Sequence, residues 1–133
     1  MTKKEAKIRD LDKAITKFAE AYDLYTKNSN TEYSISFRDS LIHRFEFTFE
    51  ISWKVMQELA NEANLQGYGP KASIRNAAQM ELISNPELWL EFTESRNLVS
   101  HTYVETIAAN LAKKLETFLP LLKDLQKNLQ NNL

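Results

Sequence analysis

Apolar residues recur at alternating steps of three and four along most of this chain, a spacing that places them on one face of an α-helix. The first such stripe consists of Ile8, Leu11, Ile15, Phe18, Tyr22 and Tyr25. It ends before Asn28-Ser29-Asn30. With two Gly and three Pro in 133 residues, the chain lacks the regular turn signals of a β-sandwich or barrel. The sequence therefore predicts an all-α protein.

The same periodicity predicts four more helices. Their predicted spans are from 37–39 to about 64, from 71 to about 83, from 86 to the region of 101, and from 107 to 129. Pro120 lies inside the last span and should kink it, because proline lacks an N–H group. Short connections between long helices favour antiparallel neighbours. We expect an antiparallel, up-and-down bundle of about five helices with a four-helix core, in which residues 1–133 form a single domain.

Charge and composition exclude several classes of site. Seventeen basic and eighteen acidic residues give a net charge of -1, so no global field attracts nucleic acid, and any phosphate-binding site must be local. The chain has no Cys and two His, which excludes disulfides and thiolate zinc sites. We predict no metal site and no cofactor.

The amino-terminal residues 1–7 lack the apolar segment of a secretory signal. No run approaches the roughly 18 apolar residues of a membrane span. We therefore expect a cytoplasmic protein that does not associate with membranes.

The predicted fourth helix places one cation at the edge of its buried face. In helical projection Arg96 lies about 40° from Phe92, and a half-buried guanidinium needs an anion. A polar strip on the second helix offers candidates. The strip consists of His43, Glu46, Glu50, Lys54 and Gln57. The alternative is that this strip is an ordinary solvated face, stabilised by a few tenths of a kcal/mol per ion pair.

His101 projects about 180° from Phe92, away from the core, whereas Tyr103 projects about 20° from it if the helix continues that far. Arg96 and His101 diverge by about 140°, so one chain would not bring both to one phosphate. Two copies related by a two-fold axis would do so, which predicts a homodimer. The alternative is that His101 is an ordinary surface residue.

Two segments resemble a known family. Arg96-Asn97-Leu98-Val99-Ser100-His101-Thr102-Tyr103 resembles the Arg-Asn-x-x-x-His-x-Tyr signature of the HEPN superfamily of small helical proteins. Residues 44–54 resemble the second-helix block of one HEPN branch, the nucleotidyltransferase substrate-binding protein family. The resemblance spans about 11–125. The chain departs from it at Glu81, where the family often has Gly, and at Val104, where an acidic residue often follows the Tyr.

The resemblance implies a dimeric HEPN-like bundle that pairs with a separately encoded minimal nucleotidyltransferase in a toxin–antitoxin-like system. In HEPN ribonucleases the Arg and His of both protomers meet in the dimer cleft and cleave RNA without a metal, a role that maps onto Arg96 and His101. The supporting cleft residues would be Asn97, Glu46, Glu50 and Lys54. In toxin-type relatives the partner transfers AMP to the motif Tyr, which maps onto Tyr103. The alternative is a non-catalytic subunit whose cleft binds a nucleotide or another substrate for the partner enzyme.

Overall fold

The computed structural model of the chain describes residues 1–132 and contains helices without any strand in that range. Its elements are α1 (Lys3–Lys27), α2 (Ser34–Glu62), α3 (Pro70–Gln79), α4 (Pro86–His101), α5 (Glu105–Lys114), a 3-10 turn (Leu115–Thr117) and α6 (Phe118–Asn131). The all-α prediction is confirmed, and each of the five predicted helical segments is present. None of the helices within 1–132 combines the length and the apolar character that crossing a bilayer requires.

The first helix follows the predicted span closely. The Thr2 side chain accepts a hydrogen bond from the Glu5 backbone N–H and so caps its amino end. At the other end Asn28 is the C-cap, and its backbone N–H bonds to the Leu24 carbonyl. The predicted stripe from Ile8 to Phe18 is buried. Periodicity and the polar residues Asn28-Ser29-Asn30 were therefore sufficient to locate α1.

Pairs of contacting residues show that α1 and α2 are antiparallel. Lys4 pairs with Glu62 at 3.5 Å, whereas Thr48 donates from Oγ1 to the Ala14 carbonyl at 3.4 Å. Residue numbers thus rise along α1 as they fall along α2. The aromatic pairs Phe45–Phe92 and Phe49–Trp89 establish the same relation between α2 and α4, with ring centroids 5.7 Å and 6.2 Å apart. This antiparallel packing sets the polar strip of α2 beside α4.

Phe118, the first residue of α6, joins three helices in an aromatic core. Its ring lies edge-on or tilted against Phe18, Phe45, Trp89 and Phe92 at centroid distances of 5.0–5.7 Å. Such geometries are the favoured arrangements of buried aromatic pairs. The core formed by α1, α2, α4 and the α5–α6 pair is the predicted four-helix core.

Two predicted helix ends are wrong. The second helix begins at Ser34 instead of 37–39, and the third ends at Gln79 instead of about 83. After α3 the chain turns at Glu81, whose φ of 61 is in the left-handed region. The Leu82 N–H bonds to the Ala77 carbonyl at 2.9 Å, which completes a Schellman motif. Glu81 is the position at which the resembling family often has Gly, and a left-handed φ explains that preference.

The predicted interruption of the last helix is confirmed as a short 3-10 turn. The α-helical pattern stops at Lys114 and resumes at Phe118, two residues before Pro120. Pro120 cannot donate to the Glu116 carbonyl, and its ring crowds that carbonyl. The turn relieves the conflict while Phe118 remains in the core.

Candidate functional site

Arg96 meets a carboxylate of α2, as the sequence predicts. Its Nη2 lies 3.4 Å from Glu50 Oε2, and both side chains are 33% exposed. Glu50 also pairs with Lys54, whose Nζ lies 3.7 Å from Oε1. Arg96 Nε is buried without a hydrogen-bond partner among the described residues. A guanidinium has five donors, so the exposed part of this one retains capacity to bind an anion.

A second contact joins α2 and α4 one turn further along. The Ser100 hydroxyl donates to Glu46 Oε2 at 3.2 Å. Two carboxylates on α2 therefore face two polar residues on α4, in antiparallel order. Asn97 is exposed beside them. Lys54 is also exposed, and its ammonium lies 5.9 Å from the Trp53 ring centroid.

Gln57, a member of the predicted polar strip, has a structural role instead. It is buried, and its Oε1 accepts from the Gly69 N–H at 3.2 Å and from the Ser73 hydroxyl at 3.0 Å. Its Nε2 donates to the Gly67 carbonyl at 3.1 Å. Gln57 thereby attaches the turn before α3 to α2. Among the described residues its side chain makes no hydrogen bond to Arg96.

His101 is the last residue of α4 and is exposed, which confirms the prediction that it points away from the core. Its imidazole makes no hydrogen bond within residues 1–132. Because α4 is helical throughout from Arg96 to His101, the two side chains diverge by about 140° and are displaced by about 7.5 Å along the axis. One chain therefore does not bring them together.

Tyr103 lies in the non-helical segment between α4 and α5 and is 51% exposed. The condition for placing Tyr103 at the edge of the buried face is not met, because α4 ends at His101 and Thr102 is extended, with φ -141 and ψ 93. The Tyr103 hydroxyl donates to Asp39 Oδ1 near the start of α2. This contact joins the linker to α2.

A charged network that the sequence reasoning missed surrounds that contact. Arg38 is buried, and its Nη2 donates to Glu105 Oε2 at 3.0 Å while Nη1 donates to the other carboxylate oxygen. Arg38 also donates from Nε and Nη2 to Asp39 Oδ1, at 3.3 Å and 3.2 Å. The bidentate pair fastens α5 to α2. A signal was present, because Arg38 occupies a helical position in line with the buried Leu41 and Phe45, and a buried guanidinium needs a carboxylate.

The network shifts the pKa values of its members. The pKa of the Tyr103 phenol is raised to about 12, first by desolvation and then by its hydrogen bond to the Asp39 carboxylate. The hydrogen bond to Glu105 is the largest cause that raises the pKa of Arg38, and the same bond lowers the pKa of Glu105. The raised pKa keeps the Tyr103 phenol neutral at neutral pH.

The fold is similar to two solved structures. A protein of Thermus thermophilus is 31% identical, with a TM-score of 0.67, and the match covers 84% of this chain and 98% of that one. A Haemophilus influenzae structure, described as revealing the fold of a substrate binding domain of a nucleotidyltransferase, has a TM-score of 0.75 at 24% identity. That match covers 92% of this chain and 98% of the other.

Sequence comparison identifies the family of this chain. The chain is 32% identical over 83 residues to the probable ribonuclease HepT of Haemophilus influenzae, across 59% of this chain and 57% of that protein. The chain thus spans a little over half the length of this curated relative. A family model described as nucleotidyltransferase substrate binding protein like matches residues 6–131. That match covers nearly the whole sequence, and the chain therefore belongs to the nucleotidyltransferase substrate binding protein like family.

Proposed function

We propose that this chain is a HEPN-type subunit that acts as a homodimer, pairs with a minimal nucleotidyltransferase and carries a metal-independent ribonuclease site. The family implies association with a nucleotidyltransferase, and a relative bears the name probable ribonuclease HepT. The observation that carries the proposal is that Arg96 and His101 lie on one continuous helix, both accessible, with only Arg96 held by a carboxylate.

The chemistry needs one base and one cation. The His101 imidazole can accept the proton of an RNA 2′-hydroxyl. The 2′-oxygen then attacks the adjacent phosphorus, the bond to the 5′-oxygen breaks, and the leaving 5′-oxygen takes up the proton from the imidazolium. The Arg96 guanidinium stabilises the negative charge that develops on the phosphoryl oxygens. General acid–base help of this kind contributes about 10²–10⁴-fold to the rate.

The divergence of the two side chains supports a dimeric site. With about 140° and about 7.5 Å between them on α4, Arg96 and His101 of one copy do not reach the same phosphate. A two-fold axis beside α4 would bring Arg96 of one copy toward His101 of the other. Asn97, exposed on the same helix, would contribute an amide to that cleft.

Tyr103 is proposed as the acceptor of AMP from the nucleotidyltransferase. It lies two residues beyond His101, and half of its side chain is exposed. A phosphodiester-linked adenosine would add bulk and negative charge beside the imidazole, and both would oppose the binding of an RNA phosphate. Modification would therefore inactivate the ribonuclease.

A mixed dimer tests the proposed site. Differently tagged Arg96→Ala and His101→Ala chains are co-expressed, and the heterodimer is purified by both tags. Dimers free of AMP, as verified by mass, are incubated with tRNA in the presence of EDTA. We expect each variant homodimer to lose at least about 100-fold in cleavage rate, and the heterodimer, which keeps one Arg96 and one His101 on different copies, to regain a measurable part.

His43→Ala is the matched control, because His43 is also exposed and lies on α2. This variant should cleave like the wild type. A heterodimer as inactive as the two homodimers would refute the shared cleft. A wild-type dimer that is free of AMP and leaves the RNA intact would refute the ribonuclease.

A second candidate function is a non-catalytic subunit that binds a nucleotide for the partner enzyme. The observation in its favour is the pair of carboxylates, Glu46 and Glu50, that faces Arg96 and Ser100. The negative charges of Glu46 and Glu50 oppose the binding of RNA, a polyanion, more than the binding of a single nucleotide. This function would be favoured if the wild-type protein leaves RNA intact and binds ATP, and if the Arg96→Ala variant no longer binds ATP.

A further inference from the structure

Asp39 holds the hydroxyl of Tyr103 in a defined orientation. The phenol donates its proton to Asp39 Oδ1, so the lone pairs of its oxygen point away from Asp39. Both side chains are partly open to solvent, with 51% of Tyr103 and 47% of the Asp39 side chain exposed. A reacting phosphorus can therefore approach the phenol oxygen from the side opposite the carboxylate.

We propose that Asp39 is a catalytic residue for nucleotidyl transfer to Tyr103, as a general base that the acceptor chain itself supplies. The proposal rests on the proposed role of Tyr103 as the AMP acceptor. In the transfer, the Tyr103 oxygen bonds to the α-phosphorus of a nucleoside triphosphate held by the nucleotidyltransferase. The bond from that phosphorus to the bridging oxygen breaks, its electron pair leaves with pyrophosphate, and the phenol proton passes to Asp39.

The phenol needs such a base. With a pKa of about 12, only about one Tyr103 in 10⁵ is ionised at pH 7. A carboxylate in contact with the hydroxyl removes the proton as the new bond forms, which avoids the free phenolate. An aspartate accepts the proton of a substrate hydroxyl in the same way in protein kinases.

Asp39 also belongs to the ion-pair network of Arg38. Arg38 is shared between Asp39 and Glu105, so one positive charge faces two negative charges. The nearest imidazoles in the sequence, His43 and His101, have no hydrogen bond to this network within the described residues, so Asp39 is the base in contact with the phenol.

Asp39 is not required to hold the fold in this region. The bidentate contact of Arg38 is made to Glu105, which attaches α5 to α2 without Asp39. Asp39→Asn keeps the size and the hydrogen-bond acceptor while it removes the basic group. The effect of this change on transfer is therefore separable from an effect on folding.

The test measures transfer of label from ATP labelled in its α-phosphate, with the chain as acceptor and the minimal nucleotidyltransferase partner as enzyme. Asp39→Asn should reduce the transfer rate by about 10²–10⁴-fold, and Asp39→Glu should restore part of it. Asp23→Asn is the matched control, because Asp23 is an exposed aspartate of α1 paired with Lys27. It should transfer at the wild-type rate.

The pH profile separates a base from a structural residue. The ratio of the Asp39→Asn rate to the wild-type rate removes the pH dependence of the partner enzyme. Without a base only the phenolate reacts, so we expect this ratio to rise about tenfold per pH unit between pH 7 and 9. A ratio that is low but constant with pH would overturn the role of Asp39 as base.

Failure of this inference is distinguishable from failure of the proposed function. If the wild type accepts no label, or Tyr103→Phe accepts as much as the wild type, then Tyr103 is not the acceptor. If Tyr103→Phe abolishes labelling while Asp39→Asn keeps the wild-type rate, only the role of Asp39 is overturned.

Discussion

Glu50→Gln should strengthen the binding of RNA by this protein. Glu50 is the carboxylate that contacts Arg96, at 3.4 Å, and an RNA phosphate must replace it as the partner of the guanidinium. Glutamine retains the length of the side chain but lacks the charge. The variant therefore leaves Arg96 in place and makes it more available to an anion.

The distance and the exposure set the magnitude. Two unit charges at this separation interact by about 1 kcal/mol in bulk water and by about 5 kcal/mol at an effective dielectric constant of 20. Since both side chains are one-third exposed, the pair is screened, and exposed pairs contribute about 0.2–1 kcal/mol. We take about 1 kcal/mol as the upper value, which corresponds to about a fivefold gain in affinity. Glu50→Gln should lower the free energy of unfolding by no more than about 1 kcal/mol.

The assay is the fluorescence anisotropy of a labelled structured RNA at fixed pH and salt, in a His101→Ala background that prevents cleavage. Glu46→Gln is the matched control, because it removes the same charge from the neighbouring turn but contacts Ser100 instead of Arg96. We expect a larger gain for Glu50→Gln than for Glu46→Gln. Equal gains would mean that only net charge matters, and weaker binding by Glu50→Gln would mean that Glu50 holds Arg96 in its binding position.

Three further predictions concern stability. Phe118→Ala removes the ring at the centre of the aromatic core and should lower the unfolding free energy by about 3–5 kcal/mol in urea titrations; a loss below about 1 kcal/mol would contradict the assigned packing. Glu81→Gly should raise stability by up to about 1 kcal/mol, because glycine adopts the left-handed φ of this position without strain; a lower melting temperature would contradict this. Since the pKa of Tyr103 is raised from 10.0 to about 12, the native state retains a proton that the unfolded state loses, so stability should fall between pH 10 and 12. Tyr103→Phe should flatten that fall, and an unchanged slope would show that other groups cause it.

The helices were predictable because each is a local pattern. The stripe from Ile8 to Phe18 and the polar residues after it, Asn28-Ser29-Asn30, need no information from elsewhere in the chain. Pro120 likewise marks the interruption before α6 by its own chemistry. Where these signals are weak the predictions were wrong, as at Glu81, which turns the chain in a left-handed conformation without a glycine to mark it.

The candidate site was partly predictable for the same reason. Arg96 and Glu50 occupy known faces of two helices, so antiparallel packing made their contact an expected one. Gln57 belongs to the same strip, but its buried amide bonds to the turn before α3. Periodicity gives the direction of a side chain and does not show which segment it meets.

The contact of Tyr103 with Asp39 could not be predicted in this way. It joins residues that are 64 positions apart, and one of them lies outside any helix, so no periodicity specifies its direction. The end of α4 at His101 is also unmarked by Gly or Pro. The buried Arg38 was the available sign that carboxylates gather at this point.

The amino-acid sequence by itself determined the helical class, the order of the helices, the interruption near Pro120 and the divergence of Arg96 from His101, since these follow from the geometry of a single helix and from local chemistry. Only the tertiary structure decided which carboxylate pairs with Arg96, that Gln57 is structural, and that Asp39 receives the hydroxyl of Tyr103. The physical reason is that these contacts join distant segments, and their geometry depends on how the whole core packs.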